Sequence, residues 1–394
     1  MKNSPILNIA KRELKYISTT KSRIILLFVV PLVVYIFVTF IYSHQIIHNV
    51  PVAVYDEDNT ELTRAITRFV DASATMKLAY RATSFNELEE MILNGEIQAA
   101  FYFPHGMTAK VKRGGSSPVN ILINSTNIVY GNLLYKASSE IVITVSSGVL
   151  LKKFMMNGLT KEQAMNLVMP IRLHTRALYN PNYNYMQYLS PGLLTVLFQM
   201  ILMFAGASAI NIEFENKTIQ NLLRESKGKP FNIILGKALA YVAVSMFPAI
   251  LMLGVIFPFF GVKVYGNIIV LFVYLMYFAF VSVSLGLMLS SIFLEKVMAL
   301  DIAFFYNSPA FVFSGFTFPA WALPVFNQFY GNMIPYTHFV YGFIKIYQMN
   351  TPLSYLVPHL LILGIFLAVG LGGSYFALKF QIKKLNQPAV ELSV

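Results

Sequence analysis

Residues Ile24–Tyr42 read IILLFVVPLVVYIFVTFIY, nineteen positions without a charge. At about 1.5 Å per residue a helix of that length covers roughly 28 Å, close to the ~30 Å hydrocarbon layer of a bilayer. The run outlasts the roughly 7–15 apolar residues of a secretory signal, and no small-x-small cleavage site follows it. It therefore predicts a membrane span that stays in the chain, with its N-terminus inside.

The flanks of this stretch differ sharply. Before it, residues 1–23 carry Lys2, Lys11, Arg12, Lys15, Lys21 and Arg23, and Ile6, Ala10, Leu14 and Ile17 recur at helical spacing. That pattern predicts an amphipathic N-terminal helix on the inner membrane face. After it, residues 43–187 hold eleven of the 18 acids, nearly balanced by cations, and no long charge-free run. They predict a soluble domain. Apolar runs at Val50–Tyr55, Met76–Arg81, Gln98–Phe103 and Val119–Asn124 read as strands, with helices at Asp58–Ala72 and Ser84–Asn94 between them. Ser84 with Glu87 and Thr160 with Gln163 have capping-box spacing. A long helix is expected over Val129–Asn157.

From Leu189 the chain is apolar again. Five further spans are expected at Leu189–Ile212, Ala238–Phe260, Ile268–Ile292, Val297–Phe318 and Ser354–Leu378. The fold class expected is a membrane protein, mainly α, with six transmembrane helices and an extracytoplasmic α/β domain inserted between helices one and two. The five-helix bundle takes 188–378, and a tail, 379–394, ends the chain. Fifteen Lys and Arg fall in the segments this topology places inside, against Lys263 and Lys345 in the short outer loops. This excess follows the positive-inside rule and puts both termini in the cytoplasm. The long domain is set aside in that comparison, because long domains translocate largely regardless of charge.

Composition agrees. Hydrophobic residues make up 56% of the 394 and charged residues 12%, with mean hydropathy +0.59. Soluble domains carry about 25% charged residues, so an ordinary soluble enzyme is excluded, as is a disordered chain. The net charge of +12 is taken up by the membrane asymmetry, so no nucleic-acid partner is expected. There are no cysteines, which removes disulfides, thiolate metal sites and cysteine nucleophiles. No phosphate loop is present: Gly236-Lys237 is followed by Ala238, and position 231 is Phe. Six scattered histidines give no metal spacing. No catalytic residue, metal or cofactor is assigned to this chain.

The connector between the second and third spans is the most informative stretch: Glu213–Lys237, EFENKTIQNLLRESKGKPFNIILGK. Phe214, Thr218, Leu222 and Leu223 share one face, and Gly228 and Pro230 stop the helix. By itself this reads either as a solvated connector or as a short helix, about 213–229, that a cytoplasmic partner can push.

The same stretch resembles the coupling-helix signature of ABC transporter permeases of the type-2 exporter class. Glu213, Glu215, Thr218, Gln220, Leu222, Leu223, Gly236 and Lys237 stand in register with it. Lys217 replaces a usual Gly, and Lys227 lies near a usual Pro. Val50–Ile66, Asn94–Pro104, Tyr179-Asn180-Pro181, Ser190-Pro191-Gly192, Ser314-Gly315-Phe316, Phe318-Pro319 and Leu323-Pro324 resemble further motifs of that family, in the same order. The resemblance is to drug-export-like members with a large outer domain after the first span.

It implies a permease subunit of an ATP-driven exporter in a bacterial cytoplasmic membrane. The partners would be two ATPase subunits, with ATP and Mg on them, and a second permease as homodimer or heterodimer. A hydrophobic or amphipathic compound would move outward. It implies an ATPase-coupling role for Glu213, Glu215, Thr218, Gln220, Leu222, Leu223 and Arg224. By the same analogy the second and fifth spans line the path, making Phe198, Gln199, Met203, Asn307 and Phe311 candidates, although Met and Phe in membrane helices more often simply pack. Asp301, the acid inside a predicted span, joins them, yet it sits near enough to Glu295 and Lys296 to reach interfacial water. Residues 316–345 resemble an outer re-entrant segment. Gly364, Ala368 and Gly372 have the spacing for close helix approach. A periplasmic adaptor on residues 43–187 is left open. The rival reading is a membrane-anchored sensor or receptor with an extracytoplasmic ligand-binding domain.

Overall fold

A computed structural model describes residues 4–43 and 47–385; the end of the tail, beyond 385, lies outside the described residues. The chain forms two compact units, one from the residues between about 46 and 176 and one from the chain on either side. Among the described residues it is mainly helical, with one four-stranded sheet.

Helix α1 spans Pro5–Thr19. Its buried positions are Ile9, Ala10, Glu13 and Ile17; Ala10 and Ile17 of the expected stripe thus face inward, while Leu14 is exposed and the acid Glu13 is buried in its place. Helix α2 follows over Lys21–Ile41. Its backbone loosens into a π turn at Ile25–Val29. Pro31 has no N–H and its ring crowds the carbonyl four residues back, at Leu27, so the ladder widens there.

In the α/β unit, β1 (Val50–Asp56), α3 (Glu61–Asp71), β2 (Met76–Arg81), α4 (Phe85–Leu93), β3 (Ala99–Phe103), α5 (Met107–Lys112) and β4 (Asn120–Ile123) follow in order. The sheet order is β2-β1-β3-β4, with β4 antiparallel and the rest parallel. Alternation explains the two faces. Val50, Val52, Val54, Phe101 and Phe103 pack under α3 and the long helix α6 (Ile128–Met156). Ala53 and Ala100 face Leu88 of α4. Thr160 and Gln163 form the expected capping box for α7 (Lys161–Val168). Ser84 caps α4 by accepting from Glu87 N, but the Glu87 carboxylate turns to Thr83 instead.

The second unit continues with α8 (Tyr185–Ala207), α9 (Asn211–Glu215), α10 (Ile219–Glu225) and α11 (Pro230–Phe259). Then come α12 (Ile268–Ile292), α13 (Lys296–Asn307), α14 (Ala310–Phe313), α15 (Val325–Asn332), α16 (Pro335–Tyr347) and α17 (Val357–Leu385). The π stretch Leu251–Ile256 of α11 contains Gly254, the residue four before Pro258, which repeats the cause seen in α2.

Among the described residues, six helices are long and apolar enough to cross a bilayer, but they are not the six expected. The span expected at Val297–Phe318 is broken. Helix α13 has 12 residues, about 18 Å, and stops just before Pro309, which has no N–H to continue the hydrogen-bond ladder to Phe305 O. The sixth long apolar helix is α6, whose first half covers the sheet.

Helix α8 is the most buried of these helices and meets α12 at a glycine pair. A Cβ on Gly206 would lie 2.8 Å from Val283 O, and one on Gly286 would lie 2.4 Å from Met203 O. Helix α17 meets α12 through Gly364, Gly370 and Gly373: Gly364 lies against Tyr277, Gly370 abuts Ser284 and Gly373 abuts Met288, while Gly372, also expected there, faces open space. Outward, Phe37, Phe40, Phe376 and Phe380 are each more than 60% exposed. Such a surface suits lipid, and the chain is a multi-pass membrane protein.

Candidate coupling site

The chain turns sharply after α8, and two short helices replace the single one expected over 213–229. Lys217 has φ 55° and Lys227 has φ 57°. Both are in the left-handed region that favours glycine, which accounts for Gly being usual at the first of these positions. Leu222 and Ile219 are buried, with Phe214 and Leu223 packed against the same core.

Beneath this turn lies a buried ion cluster. Lys237, fully buried on the second turn of α11, donates to Glu13 Oε2 at 2.5 Å and to Glu213 Oε1 at 2.9 Å. Arg12 Nη2 donates to Glu213 Oε2 at 2.8 Å. Thr218 Oγ1 donates to the same oxygen at 2.5 Å, and Tyr241 Oη donates to Glu13 Oε1 at 2.8 Å. Two carboxylates therefore face two cations, each held by further donors, which is the condition under which buried charge is tolerated. Glu225 lies 3.9 Å from Arg12 Nη1 at the rim. A cavity of about 100 Å³ opens between Tyr16, Asn216 and the charged groups.

The cluster ties α1 to α9, α10 and α11. Gly236 makes this possible, since a Cβ there would lie 2.7 Å from Ile9 Cγ2. The Gly-Lys pair thus has two jobs: the glycine admits α1, and the lysine anchors it. Arg23 extends the contact to α8. It donates to Ala205 O at 2.9 Å and Ser208 O at 2.5 Å, and lies 5.8 Å over the Tyr241 ring.

The seven residues expected to couple fall into two groups. Glu213 and Leu222 are buried, and Thr218 and Leu223 half-buried; Glu213 and Thr218 bond to each other. Glu215, Gln220 and Arg224 are exposed, beside exposed Lys217 and Asn221. Sequence reading missed Arg12, Glu13, Arg23 and Tyr241 as parts of this site. One signal was available: Glu13 is the lone acid of the first 23 residues and follows Ile6 and Ala10 at helical spacing.

Three of the path candidates also meet. Gln199 Nε2 donates to Asn307 Oδ1, and Asn307 Nδ2 donates to Ala303 O at 2.7 Å and to Met203 Sδ at 2.9 Å. Phe198 is buried on the same helix. This polar contact joins α8 to α13. Phe311 is half-buried against Phe316, and Asp301 is exposed on α13, away from the others.

Comparison with known proteins gives the family. The profile of the ABC-2 family transporter protein matches residues 21–376. A probable multidrug ABC transporter permease of Escherichia coli K12, YbhR, is 24% identical over 307 residues, 78% of this chain and 80% of its own length. Its counterpart in Escherichia coli O157:H7 matches equally. ABC transporter G family member 20 of Dictyostelium discoideum is 26% identical over 185 residues, 46% of this chain and 25% of its own. With the match running through both units, the chain belongs to the ABC-2 family of transporter proteins and is a membrane permease subunit of an ABC transporter.

Proposed function

We propose that the chain is the permease of an ATP-driven exporter of hydrophobic or amphipathic compounds, with α9 and α10 as the contact for a separate ATPase. The observation that carries this reading is the ion cluster of Glu213, Lys237, Glu13 and Arg12. It fastens α1, α9, α10 and α11 into one block and leaves Glu215, Gln220 and Arg224 outward. A push on the outward face would be carried by the buried charges to α11 and by Arg23 to the end of α8. Charges on a rim give register and specificity more than affinity, which suits Glu215 and Arg224.

From α8 the displacement would reach α13 through Gln199 and Asn307. We assign the path to this pair with Phe198, Met203 and Phe311. The outward face of α13, with Val297, Met298, Asp301, Phe304 and Phe305 exposed, suits a second permease copy across the path. The K12 relative's multidrug description supports a broad apolar cargo, since apolar walls discriminate weakly between similar ligands. The charge asymmetry of the sequence supports a bacterial cytoplasmic membrane with both termini and α9–α10 inside and residues 43–187 outside, where an adaptor would dock.

Co-purification tests this. Glu215→Arg and Arg224→Glu should weaken ATPase association or uncouple ATP turnover while the permease stays folded. Normal association, turnover and export in both variants would overturn the coupling role.

A further inference from the structure

The function above leaves one lysine–histidine pair unused. Lys345, in the last turn of α16, lies with its Nζ 3.0 Å from His359 Nε2 on α17. Both side chains are half-buried. An ammonium only donates, so His359 Nε2 is the acceptor and its ring proton sits on Nδ1. The other polar neighbour of Lys345 is Tyr355 O, at a long 3.4 Å. Among the described residues no carboxylate lies within ion-pair distance of Lys345. A half-buried cation facing one neutral nitrogen is under-compensated.

The groups around His359 are few. From α16 come Lys345, His338 and Tyr341; His338 Nε2 is engaged with Asn332 O, and the Tyr341 ring lies parallel to His359 at 6.5 Å. Tyr355 contributes its carbonyl, and Tyr277 of α12 donates to Leu360 O. None of these brings a negative charge. Leu353, Tyr355, Val357 and Leu361 on the same elements are exposed and apolar, which gives acyl chains a surface beside the cation.

We propose that Lys345 and His359 form a binding site for the phosphodiester anion of a lipid headgroup. The phosphate takes the ammonium donors that the protein leaves open. His359, on gaining a proton from solvent, turns from acceptor into a second charged donor, and the anion bridges the two nitrogens in place of their direct bond. Anion binding is therefore coupled to proton uptake. The inference rests on the membrane reading alone. It does not depend on transport direction or on an ATPase.

The test uses the full chain in nanodiscs of phosphatidylcholine with rising phosphatidylglycerol, at about pH 6 and about pH 8, either side of the ordinary imidazole value. Retained lipid is read by native mass spectrometry. The wild type should prefer phosphatidylglycerol, more so at the lower pH. Lys345→Gln should reduce that preference about tenfold, and Lys345→Arg should keep it. His359→Gln should keep part of the preference but lose its pH dependence, a readout that a merely structural role would not move. Equal retention of both lipids by the wild type, or an unchanged preference in Lys345→Gln, overturns the site. Displacement of the lipid by millimolar inorganic phosphate would assign the site to a soluble anion and overturn the lipid assignment.

Discussion

Lys237 shows how much one side chain can organise. A lysine with no exposure is bearable only because Glu13 and Glu213 both reach it. Removing one member of a buried ion group leaves a bare charge and costs about 3–5 kcal/mol. Lys237→Met should therefore lower the thermal unfolding midpoint sharply, whereas exposed Gln220→Ala should leave it within experimental error; equal midpoints for the two would contradict the cluster's role. The Lys237 position was legible in the sequence as half of a Gly-Lys signature. Its partner Glu13 stands out as the lone acid of the first 23 residues, but the pairing itself was not legible, because the two residues are 224 positions apart. A second residue-scale prediction concerns Glu57 in the α/β unit. Hydrogen bonds from the Tyr55 and Tyr102 hydroxyls, with His105 N, hold its carboxyl below the ordinary 4.5. Such a group adds stability above its unfolded value and loses it as pH falls through the folded one. Glu57→Gln should lower the neutral plateau slightly and flatten the acid limb of thermal unfolding below about pH 4.5, so that the two proteins converge in acid; an unchanged acid limb would contradict it.

Elements were read with uneven success, and the reasons are physical. The four strands emerged within a residue or two of their expected limits, because alternation and flanking turns mark both ends. Helix α12 matched its expected span, since nothing inside Ile268–Ile292 breaks it. The fifth span failed because apolar composition carries no information about Ser308-Pro309, where the backbone stops the helix. The connector failed as a single helix because Lys217 adopts a left-handed conformation that lysine rarely takes. From that geometry, Lys217→Gly should unfold no lower than the wild type, and Lys217→Val should unfold lower, because a β-branched residue resists positive φ; a valine variant as stable as the glycine one would contradict the turn. The α8–α12 contact makes a harder demand. Gly286→Leu would drive its side chain into the backbone at Met203, so the variant should fail to accumulate in the membrane, while Gly372→Leu, facing open space, should accumulate normally. Normal accumulation of both would place the helices further apart than described.

The whole molecule is an apolar helical unit joined to a small α/β unit, and the ABC-2 family match takes in the α/β unit and most of the helical one. Its class was readable from the charge-free run at 24–42 and the low charged fraction, because burial in lipid is a property of composition. The direction of transport, the cargo and the side on which α9 and α10 lie depend on partners and on the bilayer, which composition reflects only through the placement of Lys and Arg. The central claim is that the turn above Lys237 faces the cytoplasm and is held there for an ATPase. Because the chain has no cysteine, Asn221→Cys supplies a single exposed reporter on α10. An impermeant thiol reagent should label it in inverted membrane vesicles and leave it unlabelled in intact cells, with labelling suppressed when the ATPase is bound. Labelling in intact cells would contradict the account.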